Sequence, residues 1–197
     1  MAAQALIFDL DGTIWDSYPR YALAIAGDDA RLRNTVEDKL RRGASVISLL
    51  RQHGVSERRF LQCVLDEHGP TLLYPGAATA IRELGRRRTP LAIATSLPGR
   101  IAEPMLARVG LADHIRVVVH AGNCRSRKPN PGPILSALRL LRVEPSADLY
   151  YVGDRADDAE AASRAEVSFA WASYGYEESE PTGCAAVLPN IKAVIHL

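Results

Sequence analysis

The sequence has almost no excess of charge of either sign. Its 197 residues contain 24 Lys and Arg against 23 Asp and Glu, so the formal net charge is only +1. A domain that binds nucleic acid or an anionic membrane usually has a strong basic excess. We therefore expect neither nucleic acid nor a membrane as a partner, and any selectivity for anions has to come from local groups.

The sequence is also poor in cysteine and lacks long apolar runs. Cys63, Cys124 and Cys184 lie far apart and form no CxxC pair, which argues against a disulfide framework and against a structural zinc site. No stretch is apolar over a bilayer-spanning length, and the start MAAQALIF has neither the basic residues nor the apolar length of a signal peptide. We expect a cytoplasmic protein with reduced thiols.

Short apolar segments rich in Ile, Val and Leu alternate with segments of helical spacing. This alternation is typical of a parallel sheet covered by helices on both faces, and it predicts an α/β fold with three layers, α/β/α. The predicted strands are 5–8, 90–94, 115–119, 148–152, 168–172 and, more weakly, 184–188. The predicted helices are 77–88, 101–109, 133–142 and 158–165.

The interval between the first predicted strand and residue 74 contains no convincing strand. It has helical stretches that include residues 36–42, 46–52 and 57–67, and we interpret it as a small α-helical insertion after the first strand. The predicted division is a core domain of residues 1–17 and 74–197 and a helical domain of residues 18–73.

Polar residues follow four of the predicted strands, directly after the strand in three cases and, for Lys128, beyond a loop. Because the carboxyl ends of parallel strands meet at one edge of a sheet, we expect these residues to lie close together. In chain order they are Asp9, Asp11, Gly12, Thr13, Thr95, Ser96, Lys128, Gly153, Asp154, Asp157 and Asp158. Hydroxyls, one ammonium group and several carboxylates at one edge indicate a phosphate bound beside a divalent metal ion.

Each of these residues also has an ordinary structural explanation. Asp-Gly is a common turn sequence, and Thr95 and Ser96 can cap the helix that follows them. Lys128 can be a solvated member of a basic run, and Asp157 and Asp158 suit the positive end of a helix dipole. The presence of all of them at strand exits favours the functional interpretation.

Four motifs occur in the order found in the haloacid dehalogenase superfamily of phosphatases, which this sequence resembles. They are DxDGT at 9–13, a Thr at the end of an apolar strand at Thr95, KPxP starting at Lys128, and GDxxxD at 153–158. The resemblance implies a Rossmann-like core. It also implies that the helical insertion is a cap, as in the subfamily similar to phosphoglycolate phosphatase.

The resemblance implies a phosphatase that forms an aspartyl phosphate. Asp9 would be the nucleophile, and Asp11 would protonate the leaving alkoxide and then take a proton from the attacking water. Two positions apart on an extended chain, the two side chains point the same way. Thr95 and Lys128 would bind the phosphate oxygens, with further substrate contacts from Gly12, Thr13 and Ser96.

A cation is expected between the negative nucleophile and the negative phosphate, and Mg²⁺ suits oxygen ligands. The resemblance implies the Asp9 carboxylate, the Asp11 backbone carbonyl and the Asp154 carboxylate as ligands. Asp158 is expected to support the ion, either directly or through water. The predicted metal site therefore comprises Asp9, Asp11, Asp154 and Asp158.

Substrate choice is expected to depend on the helical insertion. Arg41 and Arg42 fall between two helical stretches, where the family often has a substrate-facing loop. They could hold the carboxylate or second anion of a small phosphorylated substrate, such as phosphoglycolate or a sugar phosphate, or they could lie on a solvated helix face. The sequence leaves both interpretations open.

Two other functions are compatible with the same residues. A mutase similar to β-phosphoglucomutase would use the same core while retaining the phosphoryl group, and a regulatory protein would bind phosphate and metal without catalysis. The oligomeric state, monomer or homodimer, is open. One departure from the family concerns Glu166, which stands where a Gly usually follows the last helix and so indicates a different helix ending.

Overall fold

The computed structural model describes residues 3–66 and 72–197. The chain divides into two compact units, one of Met1–Trp15 and Leu73–Leu197 and the other of Asp16–Leu72. The first is an α/β unit, and the described part of the second is helical. The predicted division at residues 17/18 and 73/74 stays a prediction, and the end of the helix predicted over 57–67, Glu67, lies outside the described residues.

The helical unit contains four helices within its described residues: α1 (Tyr18–Ala26), α2 (Ala30–Arg41), α3 (Val46–Gln52) and α4 (Glu57–Val64). Three of them begin at a side-chain cap, because Asp29, Ser45 and Ser56 each accept a backbone N–H from the first turn. The predicted helical stretches did not include α1 or the first half of α2. The start of α1 is marked by Pro19, which suits a first turn.

The α/β unit is built on a six-stranded sheet in which every neighbouring pair is parallel. The strand order is β3-β2-β1-β4-β5-β6. The strands are β1 (Ala5–Phe8), β2 (Leu91–Ala94), β3 (Val117–Val119), β4 (Leu149–Gly153), β5 (Ser168–Ala172) and β6 (Cys184–Leu188). Every residue of β1 and β2 is buried, which is the pattern of strands covered on both faces. The predicted α/β fold is confirmed.

The helices of this unit are α5 (Ala77–Arg86), α6 (Gly99–Arg108), α7 (Gly132–Leu141) and α8 (Ala156–Arg164), with short 3₁₀ segments at Ala112–His114 and Ile191–His196. Apolar residues of α7 and α8 pack with alternate residues of the central strands in one core cluster. Tyr151 of β4 belongs to this cluster, so its hydroxyl is fully buried. Among the described residues, no helix has the length and apolar character needed to cross a membrane.

Strand register brings the ends of the central strands level. Phe8 of β1 lies opposite Val152 of β4, and the N–H of Asp9 continues the ladder by donating to the Val152 carbonyl at 2.9 Å. The N–H of Thr95 donates in the same way to the Val119 carbonyl at 2.9 Å. Asp9 and Thr95 therefore leave the sheet at the same edge, as expected for parallel strands.

Helix α8 ends in the manner of a glycine-terminated helix, although the residue there is Glu166. Its φ is 58°, and the N–H groups of Glu166 and Val167 donate to the carbonyls of Ser163 and Ala162, each at 3.2 Å. This is the Schellman arrangement, in which a left-handed residue follows the helix. The expectation of a different helix ending is therefore wrong, because the helix keeps the usual ending with a non-glycine residue.

Replacing Glu166 with Gly is expected to raise the free energy of unfolding by about 0.5–1 kcal/mol. A non-glycine residue loses roughly 1–2 kcal/mol in the left-handed region, and the larger backbone entropy of an unfolded glycine offsets part of that gain. Chemical denaturation checks the change. Glu166→Ala is the matched control, because it removes the same carboxylate and keeps Cβ; equal stability of the two variants would contradict the prediction.

Candidate active site

The ammonium group of Lys128 lies between two buried carboxylates at the carboxyl edge of the sheet. Its Nζ is 2.9 Å from Asp9 Oδ2 and 2.6 Å from Asp158 Oδ1. The side chains of Lys128, Asp9 and Asp158 are 7%, 9% and 1% exposed. Because these residues follow β3, β1 and β4, one cation joins the exits of three strands.

Tyr151 also holds Lys128, and the sequence analysis did not identify it. Its hydroxyl accepts a hydrogen bond from Lys128 Nζ at 2.9 Å and donates to the Ala94 carbonyl at 3.0 Å. Burial raises the pKa of Tyr151 well above its ordinary value, so the hydroxyl keeps the proton that it donates. Its place in the middle of a buried strand gives no sequence signal for this role.

Asp158 has hydrogen-bond partners on both carboxylate oxygens. Oδ2 accepts the backbone N–H groups of Asp154 and Arg155, each at 3.1 Å, while Oδ1 faces Lys128. Asp158 lies in the first turn of α8, where these N–H groups have no partner within the helix. The side chain therefore both caps the helix and fixes the position of the Lys128 ammonium group.

Asp154 is fully buried, and in the part of the chain that the structure describes only one of its carboxylate oxygens has a hydrogen-bond partner. Oδ2 accepts the N–H of Tyr176 at 2.8 Å, while Oδ1 is buried without a hydrogen-bond partner among the described residues. A Cβ on Gly12 would lie 2.2 Å from Asp154 Oδ2, and a Cβ on Gly175 would lie 2.3 Å from Asp154 Cβ. The two glycines let the backbone approach this carboxylate closely.

The three acids fit a divalent metal ion with oxygen ligands. Carboxylate oxygens of Asp9, Asp154 and Asp158 all lie within 4.8 Å of one another, and with Lys128 as their partner, three ionised carboxylates would keep two negative charges uncompensated. Burial raises the pKa of Asp9 to about 7, against the opposing effect of Lys128, and it raises the pKa of Asp154 well above its ordinary value. A bound cation would favour both ionised forms. Asp154 Oδ1 is the oxygen left open for it.

The loop after β1 carries Asp11 and Thr13. Asp11 is half-buried, whereas Thr13 is fully buried, and its Oγ1 has no hydrogen-bond partner within the described residues. The Thr13 carbonyl accepts a hydrogen bond from the Tyr174 hydroxyl at 2.8 Å. Gly12, between them, has φ of 78°, a backbone conformation that favours glycine.

Thr95 is buried, and the neighbouring Ser96 is exposed. The Thr95 Oγ1 accepts the N–H of Leu97 at 3.2 Å, so the hydroxyl hydrogen is available to a ligand. The ordinary explanation, in which Thr95 or Ser96 caps the next helix, does not apply, because α6 has Pro98 at its N-cap and no side-chain cap within the described residues.

Arg41 and Arg42 belong to the helical unit, and both guanidinium groups pair with acids of α2. Arg41 Nη2 is 2.7 Å from Glu37 Oε1, and Arg42 Nε is 3.0 Å from Asp38 Oδ2. These are pairs of residues four apart on one helix, which stabilise a helix weakly. The prediction that the two arginines contact substrate stays a prediction.

The family model that matches this chain is that of the haloacid dehalogenase-like hydrolases, over residues 6–172. The phosphoglycolate phosphatase of Rhodobacter capsulatus is 32% identical over 201 residues, which cover 90% of this chain and 87% of that protein. Phosphoglycolate phosphatase 1 of Pseudomonas aeruginosa is 28% identical over 215 residues, which cover 96% of this chain and 78% of that protein. The crystal structure of CbbY from Rhodobacter sphaeroides in complex with phosphate has a TM-score of 0.71 at 21% identity and covers 99% of this chain and 100% of its own. That likeness shows the fold.

Replacing Gly12 with Ala is expected to destabilise the fold more than replacing Gly183 with Ala. Both glycines have positive φ, 78° and 83°, so both variants incur the same kind of backbone strain. A Cβ on Gly183 would meet no atom of the described residues within 4 Å, whereas one on Gly12 would clash with Asp154. Overpacking of this kind typically costs about 1–3 kcal/mol. Thermal or chemical unfolding measures the difference in stability between the two variants. Equal losses of stability would contradict the prediction, because they would show that the loop shifts to accommodate the Cβ at little cost.

Proposed function

Because this chain belongs to the haloacid dehalogenase-like hydrolase family, we propose that it hydrolyses small phosphate monoesters through a phosphorylated Asp9. The chain is a hydrolase of the phosphatase type. The observation that carries the proposed mechanism is the position of Asp9, beside the Lys128 ammonium and next to two further buried carboxylates at the carboxyl end of β1.

In the first step, an oxygen of Asp9 attacks phosphorus, a new O–P bond forms, and the O–P bond to the leaving alcohol breaks. Asp11 gives its proton to the departing oxygen, since an alkoxide is a poor leaving group near neutral pH. The Thr95 hydroxyl, the Thr13 hydroxyl and Lys128 lie along the strand exits as donors for the phosphate oxygens. The buried Thr13 Oγ1, which accepts or donates no hydrogen bond among the residues that the structure describes, supports this role.

In the second step, Asp11 takes a proton from water, and the water oxygen attacks the same phosphorus. The bond between Asp9 and phosphorus breaks, and inorganic phosphate leaves. A carboxylate nucleophile thus divides one difficult displacement into two easier ones. The half-buried position of Asp11 supports a group that exchanges protons with both an alcohol and water.

We propose Mg²⁺ as the metal, held by Asp9, Asp154 and the Asp11 carbonyl. When bound, Mg²⁺ lowers the repulsion between the Asp9 carboxylate and the phosphate and offsets charge on the phosphate oxygens. Asp158 acts as a supporting residue, because its oxygens already accept two backbone N–H groups and pair with Lys128. Asp154 contributes Oδ1, while the Tyr176 N–H holds its other oxygen.

A small phosphorylated substrate suits the relatives, which are named as phosphoglycolate phosphatases. We propose phosphoglycolate and similarly small phosphate esters as the substrate class. The expected cytoplasmic location, and the expectation that neither nucleic acid nor a membrane is a partner, stay predictions. The mutase and regulatory alternatives predict different products. A mutase would keep the phosphoryl group on the sugar, and a regulatory protein would release no inorganic phosphate.

Replacing Asp9 with Asn is expected to lower phosphate release by at least about 1,000-fold, because the variant lacks the nucleophile. Release of inorganic phosphate from a panel of esters, measured with Mg²⁺ and after chelation of divalent ions, checks this. Asp157→Asn is the matched control, since Asp157 is exposed on the same helix turn as Asp158. A wild-type chain as inert as the Asp9 variant across the panel would refute the proposal.

The Asp11→Asn variant is expected to stall as a phosphorylated protein. With 4-nitrophenyl phosphate the leaving group departs without protonation, so the first step continues, whereas the second step lacks its base. We expect a burst of about one nitrophenolate per chain and then slow turnover. Mass spectrometry of the acid-quenched protein should locate the phosphoryl group on Asp9. Steady turnover at the wild-type rate, with no trapped phosphate, would rule out this role for Asp11.

A further inference from the structure

A cavity opens beside Thr95 and Lys128, against the loop that connects β3 to α7. Its polar wall is formed by Thr95, Ser96, His120, Ser126, Arg127 and Lys128. The described residues that line it include no aspartate or glutamate. A wall of hydroxyls, imidazole, ammonium and guanidinium favours an anionic occupant over a neutral or cationic one.

The basic side chains of this wall differ in how far they already have partners. Lys128 pairs with Asp9 and Asp158, so little of its charge remains for a second anion. His120 is held on both sides, because its Nδ1 accepts the N–H of Gly122 at 3.0 Å and its Nε2 lies 3.4 Å from Glu103 Oε1.

Arg127 is exposed and forms no ion pair within the part of the chain that the structure describes. Its guanidinium is therefore the cation of the wall whose charge no described carboxylate matches. A guanidinium also suits a carboxylate geometrically, because it can donate two parallel hydrogen bonds.

We propose that this cavity is a subsite for a second anionic group of the substrate, with Arg127 as its cation and the Ser96 and Ser126 hydroxyls as further donors. The inference rests on the proposed function, since it takes the phosphate to be bound at Thr95 and Lys128. The substrate class is then a small phosphate monoester that carries a carboxylate close to the ester oxygen. In this arrangement the α/β unit itself selects for the second anion.

The test compares two esters of nearly equal size, 2-phosphoglycolate and ethyl phosphate, which differ by a carboxylate in place of a methyl group. The measured quantity is the ratio of their kcat/KM values in the presence of Mg²⁺. We expect Arg127→Ala to lower this ratio about ten- to a hundredfold, the range for loss of a charged hydrogen bond. Arg127→Lys should retain part of the preference, because it keeps the charge and loses the paired donors.

Arg125→Ala is the matched control. Arg125 is an exposed arginine two positions away and does not line the cavity, so its loss should leave the ratio near the wild-type value. If the ratio of kcat/KM values falls equally in the Arg125 and Arg127 variants, the effect comes from general surface charge, and the inference is overturned. A fall only in Arg41→Ala or Arg42→Ala would assign the second anion to the helical unit and overturn it as well.

A binding measurement separates this inference from the proposed function. Titration of 2-phosphoglycolate and ethyl phosphate into the Asp9→Asn variant, with and without Arg127→Ala, requires no turnover. Tighter binding of 2-phosphoglycolate that disappears with Arg127→Ala supports the subsite, and equal binding refutes it. Absence of phosphate release from every ester by the wild-type chain would instead refute the proposed function.

Discussion

The contact on which the site depends is the ammonium group of Lys128 between the carboxylates of Asp9 and Asp158. Three nearly dehydrated charges are costly to bury, and they are tolerated only if each has close partners of opposite charge or hydrogen-bond donors. Lys128 reaches both acids because β3, β1 and β4 end at one edge of the sheet. Loss of the ammonium would leave two buried carboxylates facing each other, so the fold of the sheet and the electrostatics of the site support one another.

The spacing of the GDxxxD motif at 153–158 follows from the same need to give each buried charge close partners. Asp158 lies four residues after Asp154, in the first turn of α8, and from there its Oδ2 reaches back to the N–H groups of Asp154 and Arg155. The strand exit and the helix start are thus tied by one side chain, while Asp154 remains free to turn Oδ1 inward. The Trp171 indole N–H holds the Asp154 carbonyl at 3.1 Å. A longer or shorter spacing would separate the cap from the carboxylate that it positions.

The charged residues of the site could be predicted from the sequence, whereas the neutral groups that hold them could not. Acids, a lysine and hydroxyls at strand exits are conspicuous because they interrupt apolar segments, and the parallel order then brings them together. Tyr151 and Gly175 carry no such signal: one lies inside an apolar strand, and the other is a glycine in a turn. Their roles depend on distances between segments far apart in the chain. For Glu166 the sequence predicted the wrong outcome, since two helix-end hydrogen bonds accompany a left-handed conformation that its side chain disfavours.

Charge matching also bears on the proposal that an arginine recognises the second anion of the substrate. Arg41 and Arg42 already have acids four residues away on α2, but exposed pairs of this kind are worth only about 0.3–0.5 kcal/mol. Because this pairing is weak, it does not exclude substrate binding by either arginine, and their contact with substrate stays a prediction. The proposed phosphate position lies beside Lys128 and Asp9, and the charges there decide how a second anion would be held. Two carboxylates already match Lys128, so a second anion close to it would gain little attraction from the lysine and would be repelled by Asp9. In the proposed subsite, the Arg127 guanidinium on the adjoining wall, which no described carboxylate pairs with, would compensate for this repulsion locally. A protein with almost no net charge cannot do so through its overall field.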